Sequence, residues 1–225
     1  MNKILSNYNE ILKQIRSCRS KLNGKYCETE LIAVSKQFPK EIIQILVNTG
    51  HKTFGENKVQ EAQSKWVDLK KENPEKNLEL HLIGPLQSNK ANLALEIFDV
   101  IQTVDREKIA LKLNKYLAQK TDLNKKKFFI QVNIGNEKQK SGIEERFAEQ
   151  FFQWCSNDLS LNIIGLMCIP PLDKTPEPFF RRLRSLCDRF NLKHASMGMT
   201  NDFKAAIDHG ATFIRVGTGI FGKRN

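Results

Sequence analysis

One unit recurs eight times along this chain: a short apolar run, a polar turn, then apolar residues at helical spacing. The runs are Leu31–Val34, Lys52–Phe54, Leu80–Ile83, Val100–Thr103, Phe128–Ile134, Leu161–Ile169, His194–Met197 and Ala211–Val216. The intervening stripes have a 3.6-residue period: Val59, Ala62, Trp66 and Leu69; Ile143, Phe147, Phe151 and Trp154; Phe179, Phe180, Leu183, Leu186 and Phe190. Pro39 stands where a first helical residue would, Ile42, Ile43, Leu46 and Val47 make a buried face, and Asn48-Thr49-Gly50 ends it. Strands alternating with helices imply a parallel sheet with right-handed crossovers. Eight units either close that sheet or leave it open and doubly wound, and periodicity alone does not separate the two. The chemically unusual residues all fall just after the apolar runs, which is where a barrel gathers its functional loops. The expectation is an α/β fold, a single (β/α)8 TIM barrel forming one domain over residues 1–225. Ahead of the first unit, Ile4, Leu5, Tyr8, Ile11, Leu12 and Ile15 recur at helical spacing, so an extra N-terminal helix packs on the barrel.

Composition narrows the function classes. The 225 residues suffice for a sizeable core. The formal charge is +11, yet the lysines are scattered over helix faces and the longest basic run is Lys125–Lys127. No basic stripe interleaved with aromatics appears, so the charge reads as solvated surface and no nucleic-acid partner is expected. Cys18, Cys27, Cys155, Cys168 and Cys187 are odd in number and widely spaced, as reduced thiols of the cytoplasm are. They and the four histidines show no ligand spacing, so no metal site is expected. The N-terminus does not read as a signal peptide, and no apolar run approaches membrane-spanning length.

Two features carry chemistry. Lys36 closes the first unit's strand in Ala33-Val34-Ser35-Lys36-Gln37-Phe38-Pro39. A lysine there projects into the mouth of a barrel, where partial burial disfavours the ammonium and makes the amine available to capture an aldehyde. The plainer alternative is a solvated loop lysine. In the last quarter, Ser196-Met197-Gly198-Met199-Thr200 follows the seventh strand and Arg215-Val216-Gly217-Thr218-Gly219 follows the eighth. Small residues let the backbone approach an anion, and the hydroxyls of Ser196, Thr200 and Thr218 add donors; the loops after strands 7 and 8 are the usual phosphate cradle of this fold. A phosphorylated ligand is expected. Other strand ends are polar too, at Asn57, Gln102, Thr103 and Asn133. His81 lies within an apolar strand and reads equally as an interior residue or a ligand-facing one.

Several segments in order along the chain resemble the YggS/PROSC family of pyridoxal phosphate homeostasis proteins. They are Ala33-Val34-Ser35-Lys36, Phe54-Gly55-Glu56-Asn57, His81-Leu82-Ile83-Gly84 with Leu86-Gln87-Ser88-Asn89-Lys90, Lys140-Ser141-Gly142, Gly165-Leu166-Met167, Ser196-Met197-Gly198-Met199 and Arg215-Val216-Gly217-Thr218. The resemblance implies an alanine-racemase-type barrel with pyridoxal 5′-phosphate in Schiff-base linkage to Lys36. It implies phosphate binding around Ser196, Gly217 and Thr218, Asn57 near the ring hydroxyl and Arg215 facing the pyridine nitrogen. His81, Met167, Met197 and Gly198 complete the implied cofactor-binding set. Lys58 departs from an aromatic residue usual after the FGEN segment, and Asn92 from an arginine frequent after the Asn-Lys pair; both bear on the rim of the site.

A cation opposite the pyridine nitrogen disfavours ring protonation and makes the cofactor a weaker electron sink. Racemases of the related fold add a second base from a β domain, and this chain ends at Asn225, shortly after the last phosphate loop. Tyr8, Tyr26 and Tyr116 fall on expected helices or connections, away from strand ends. The expectation is therefore a monomeric cytoplasmic carrier of pyridoxal 5′-phosphate, with cofactor-dependent apoenzymes as partners and no catalysis of its own. The alternative is an amino-acid racemase-like enzyme.

Overall fold

A computed structural model describes residues 3–20, 28–120, 123 and 125–222. Eight parallel strands line up as β1 (Glu30–Val34), β2 (Thr53–Glu56), β3 (Glu79–Leu82), β4 (Val100–Val104), β5 (Lys127–Asn133) and, after a two-residue strand β6 (Ile143–Glu144), β7 (Ile163–Met167), β8 (His194–Met199) and β9 (Phe213–Val216). Their order is β4-β3-β2-β1-β9-β8-β7-β5, and β4 also pairs with β5. That last pairing joins the two ends of the sheet, so the barrel is closed. Helices α2 (Lys40–Val47), α3 (Val59–Glu72), α4 (Ala91–Ile97), α5 (Glu107–Leu117), α6 (Ala148–Gln153), α7 (Glu177–Arg189), α8 (Phe203–Asp208) and α9 (Thr218–Phe221) follow the strands in turn.

Alternation along each strand builds two cores. Outward residues such as Leu31, Ala33, Phe54, Leu80, Leu82, Phe128, Met197 and Ile214 pack with the helices. Inward Ile32, Val100, Phe129, Met167 and Phe213 form a second cluster within the barrel. The last unit's helix, α9, has only four residues. The N-terminal helix α1 (Lys3–Arg19) packs across α8 and α9, burying Tyr8, Ile11 and Ile15, and Asn7 donates to the Ile220 carbonyl at 3.0 Å. It thereby covers the flank that so short a helix leaves open.

Two sequence expectations shift. The second strand runs to Glu56 rather than stopping at Phe54, because Gly55 and Glu56 continue the ladder with His81 and Leu82. The stripe Ile143, Phe147, Phe151 and Trp154 is not one helix. Ile143 and Glu144 pair with Val132 and Asn133, and the α-helix begins at Ala148, continuing as a π turn over Trp154–Asp158. Gly142 causes the change: at φ 123° it lies against Asn133, where a Cβ would come within 2.5 Å of the backbone nitrogen. No helix among the described residues is long and apolar enough to cross a membrane. Cys155, Cys168 and Cys187 are buried, and burial pushes each thiol up to about 12; Cys27 lies outside the described residues.

The contact between the ends of β2 and β3 bears on the mouth. A Cβ on Gly84 would stand 2.3 Å from the Asn57 carbonyl oxygen and 2.7 Å from its Cα. Gly84→Ala is expected to lower the unfolding free energy by about 1–3 kcal/mol, the usual cost of overpacking. Urea denaturation checks this, and the same variant should displace Asn57.

Candidate functional site

Above the C-terminal ends of the strands lies a cleft of about 710 Å³. Lys36, Asn57, Arg215, Gly217 and Thr218 line it, contributed by the ends of β1, β2 and β9. The loop after β7 supplies a rim through Ile169, Pro170, Pro171 and Leu172, and Leu172 is 88% exposed. The segment after β8 enters with Met199, Thr200 and Asp202.

Lys36 sits in a turn that buried charges hold in shape. Gln37 is left-handed at φ 66°, and its N–H donates to the Glu61 carboxylate on α3. The Lys65 ammonium, also on α3 and 7% exposed, donates to the carbonyls of Ser35 and Phe38 at 3.0 Å each, on either side of Lys36. Lys65 lies 2.9 Å from Glu56 and 3.0 Å from Glu61. Glu56 is fully buried and also accepts from the Ser35 hydroxyl at 2.6 Å and the Trp66 indole at 3.0 Å. Burial raises the Glu56 pKa, and the Lys65 charge opposes the rise. Ser35 points outward to this cluster, so strand alternation sends Lys36 inward to the cleft, where it is half-buried.

Arg215 is 4% exposed and belongs to the cleft wall. Its guanidinium donates to Ser196 Oγ at 2.7 Å and to the Cys168 carbonyl at 2.8 Å, both uncharged acceptors. Among the described residues no carboxylate lies within ion-pair distance of it; burial lowers its pKa, and the charge of Asp202, which also lines the cleft, opposes the fall. A buried cation of this kind is costly unless something else compensates its charge. Its position in the cleft wall therefore suits an electron-rich or anionic ligand.

The remaining residues expected at the site do not line the cleft. His81, fully buried, faces the barrel interior and touches Gln102 and Glu79 rather than the mouth. Ser196 lies directly beneath Arg215. Met167 belongs to the interior apolar cluster, and Met197 points outward into the core between strands and helices. Gly198, at φ 88°, faces α8, where a Cβ would meet Ala206 Cβ at 2.4 Å. That close approach lets Met199 and Thr200 turn into the cleft. Thr218 Oγ donates to Thr200 Oγ at 3.3 Å, and the Gly219 N–H points to the same oxygen at 3.4 Å. Gly217, Thr218 and Thr200 thus bring hydroxyls and the N-terminal N–H groups of α9 together at one edge of the cleft, donors suited to a phosphate.

Sequence reading missed Lys65 and Glu61, whose Lys and Glu sit four residues apart on an otherwise ordinary helix. It noted Gln102 only as a polar strand end. Among the described residues no group of three or more His, Cys, Asp or Glu could hold a metal ion. Tyr8 bonds His51 from α1, and Tyr116 bonds Glu96 from α5; Tyr26 lies outside the described residues.

Lys65→Met would strand the buried Glu56 carboxylate. It is expected to cost about 3–5 kcal/mol, the range for breaking one side of a buried ion pair. Adding Glu56→Gln should recover part of the loss: the amide oxygen still accepts from Ser35 and Trp66, while its NH₂ takes the place of the buried Oε2, which has no partner. Urea denaturation of the single and double variants checks both.

Residues 6–225 match the family of the alanine racemase N-terminal domain. The pyridoxal phosphate homeostasis protein of Aquifex aeolicus is 36% identical over 95% of each chain. That of Vibrio cholerae is 38% identical over 100% of this chain and 98% of its own. The solved structure of PipY from Synechococcus elongatus with PLP bound is 33% identical, covers 93% of this chain and 99% of that one, and superposes with a TM-score of 0.78. Alanine racemase of Clostridium difficile shares the fold at a TM-score of 0.71 with 12% identity, and the match spans 57% of that longer chain. The chain belongs to the alanine racemase N-terminal-domain family and, within it, to the pyridoxal phosphate homeostasis proteins.

Proposed function

We propose that this chain binds pyridoxal 5′-phosphate in the mouth of its barrel, as a Schiff base on Lys36, and serves vitamin B6 homeostasis in the cytoplasm as a carrier without catalysis. The observation that carries the reading is the convergence of Lys36, Arg215, Gly217 and Thr218 on one cleft. The relatives' shared name, and the PLP-bound PipY structure, support the choice of cofactor. When bound, the cofactor supplies an aldehyde carbon that a lysine amine captures reversibly. Lys36 presents that amine, held by the Lys65 clamp beneath its turn. Thr218, Thr200 and the N-terminal N–H groups of α9 would hold the phosphate, and Asn57 and Arg215 would contact the rest of the cofactor.

Arg215 also argues for a carrier. A guanidinium facing the ring nitrogen would oppose its protonation and weaken the electron sink that racemisation needs. The two described tyrosines are engaged on outer helices. The chain acts as a monomer of one domain, residues 1–225, and passes the cofactor to dependent apoenzymes. The open rim at Leu172 gives such a recipient access to the cleft.

α-Proton exchange tests this directly. With cofactor-loaded protein and alanine in deuterium oxide, exchange should stay near the rate of free pyridoxal phosphate, while the cofactor still passes to an apoenzyme. Rapid exchange that disappears with Lys36→Ala would make a racemase-like enzyme the better reading.

A further inference from the structure

Beneath the cleft, a line of polar side chains crosses the barrel from mouth to floor. Arg215 Nη1 donates to Ser196 Oγ at 2.7 Å, and Ser196 Oγ donates to Gln102 Oε1 at 2.6 Å. Gln102 Nε2 lies 2.8 Å from His81 Nδ1, and His81 Nε2 lies 2.8 Å from Glu79 Oε1. Lys127 donates to the other Glu79 oxygen at 2.6 Å. Glu79 and Lys127 are the first residues of β3 and β5, and with His81 and His194 they line a separate cavity of about 420 Å³ at the N-terminal end of the barrel. His81, Gln102 and Ser196 are fully buried.

Followed from the arginine, the hydrogen bonds of this line form one continuous donor-to-acceptor chain. Arginine only donates, so Ser196 accepts from it and spends its single proton on Gln102 Oε1. The Gln102 amide then turns its NH₂ to His81, whose Nδ1 must accept. His81 is left with its proton on Nε2, which faces Glu79. An ionised carboxylate only accepts, so the far end demands the same polarity as the near end. Two fixed ends and three adaptable links agree on one arrangement. The hydrogen bond from His81 and the paired Lys127 both hold the Glu79 carboxyl below the usual carboxylate range.

We infer that Glu79, His81 and Gln102 are positioning residues for Arg215: a relay through the barrel in which Glu79, at the opposite end from the cleft, sets the direction of the hydrogen bonds that end on Ser196. Chains of aligned hydrogen bonds polarise one another in a low-dielectric interior, so charge at the floor reinforces the Ser196 acceptor at the mouth. The relay fixes the Arg215 donors bound to Ser196 and Cys168, and therefore which donors remain for the cleft. It rests on the pyridoxal phosphate reading only for what the cleft holds, and the relay itself is a property of the ligand-free protein.

Two measurements separate the claims. ¹⁵N NMR of the ligand-free protein should show His81 as the neutral Nε2–H tautomer; an Nδ1–H tautomer or an imidazolium would overturn the relay whatever the cleft binds. Absorption titration with pyridoxal phosphate should then compare wild type with Gln102→Leu, which cuts the line, and Glu79→Gln, which removes its terminal charge and with it the ion pair to Lys127. Glu79 is partly exposed at the floor, so its variant remains informative if Gln102→Leu fails to fold. Each is expected to weaken cofactor binding by about tenfold, the effect of one weakened charge-assisted bond, and to shift the absorption maximum of the bound cofactor. A fall in melting temperature with unchanged affinity and spectrum would reduce the line to a purely structural role and overturn the inference. Failure of the wild-type protein to bind pyridoxal phosphate would sink the functional reading while leaving the NMR result to judge the relay.

Discussion

Closing eight strands on themselves removes water from the space between them, so each polar side chain aimed inward must find its partner within the protein. The constraint bears hardest on Arg215, a guanidinium that is 4% exposed and has no carboxylate paired with it among the described residues. Its placement makes sense of its neighbours. Ser196 and the Cys168 carbonyl hold it from below and from the side. Gln102 and His81 extend the line to a carboxylate at the floor. Toward the cleft, the charge of Asp202 acts on it as well. A barrel interior filled only with the apolar cluster of Ile32, Phe129 and Phe213 would be simpler to fold but would offer the mouth no fixed cation.

A second group of buried charges acts on the opposite wall. Lys65, Glu56 and Glu61 grip the turn that carries Lys36, with Lys65 donating to the carbonyls on both sides of it. Two lysines thus lie close together with different fates. Lys65 is committed to two carboxylates and two carbonyls and lies outside the cleft lining. Lys36 enters the cleft. The arrangement accounts for why one amine of the pair is the candidate for an aldehyde, and it requires the left-handed Gln37 that the Glu61 contact supports.

Much of this was legible in the sequence, for a definite reason. Strand and helix periods differ, so eight alternations of run and stripe are hard to mistake, and the loops after the last two strands announce themselves by Gly, Ser and Thr. The failures have equally physical causes. The Ile143–Trp154 stripe has helical spacing, yet Gly142 and the edge of β5 draw Ile143 into a strand pairing. His81 reads within an apolar strand as either an interior or a ligand-facing residue, because that choice depends on its height in the barrel, which spacing does not encode. Lys65 was hidden because an i, i+4 Glu–Lys pair on a helix is normally solvated surface; here the turn after β1 folds over it. Met197 and Gly198 lie within β8 and turn toward the outer layer and α8.

The account stands on Lys36 as the residue that captures the aldehyde. Borohydride reduction of the cofactor-saturated protein, followed by peptide mapping, measures this most directly. A single pyridoxyl group on the peptide containing Lys36, absent from Lys36→Ala, is the predicted result. A label on Lys65 or any other lysine, or no label on saturated protein, would contradict it.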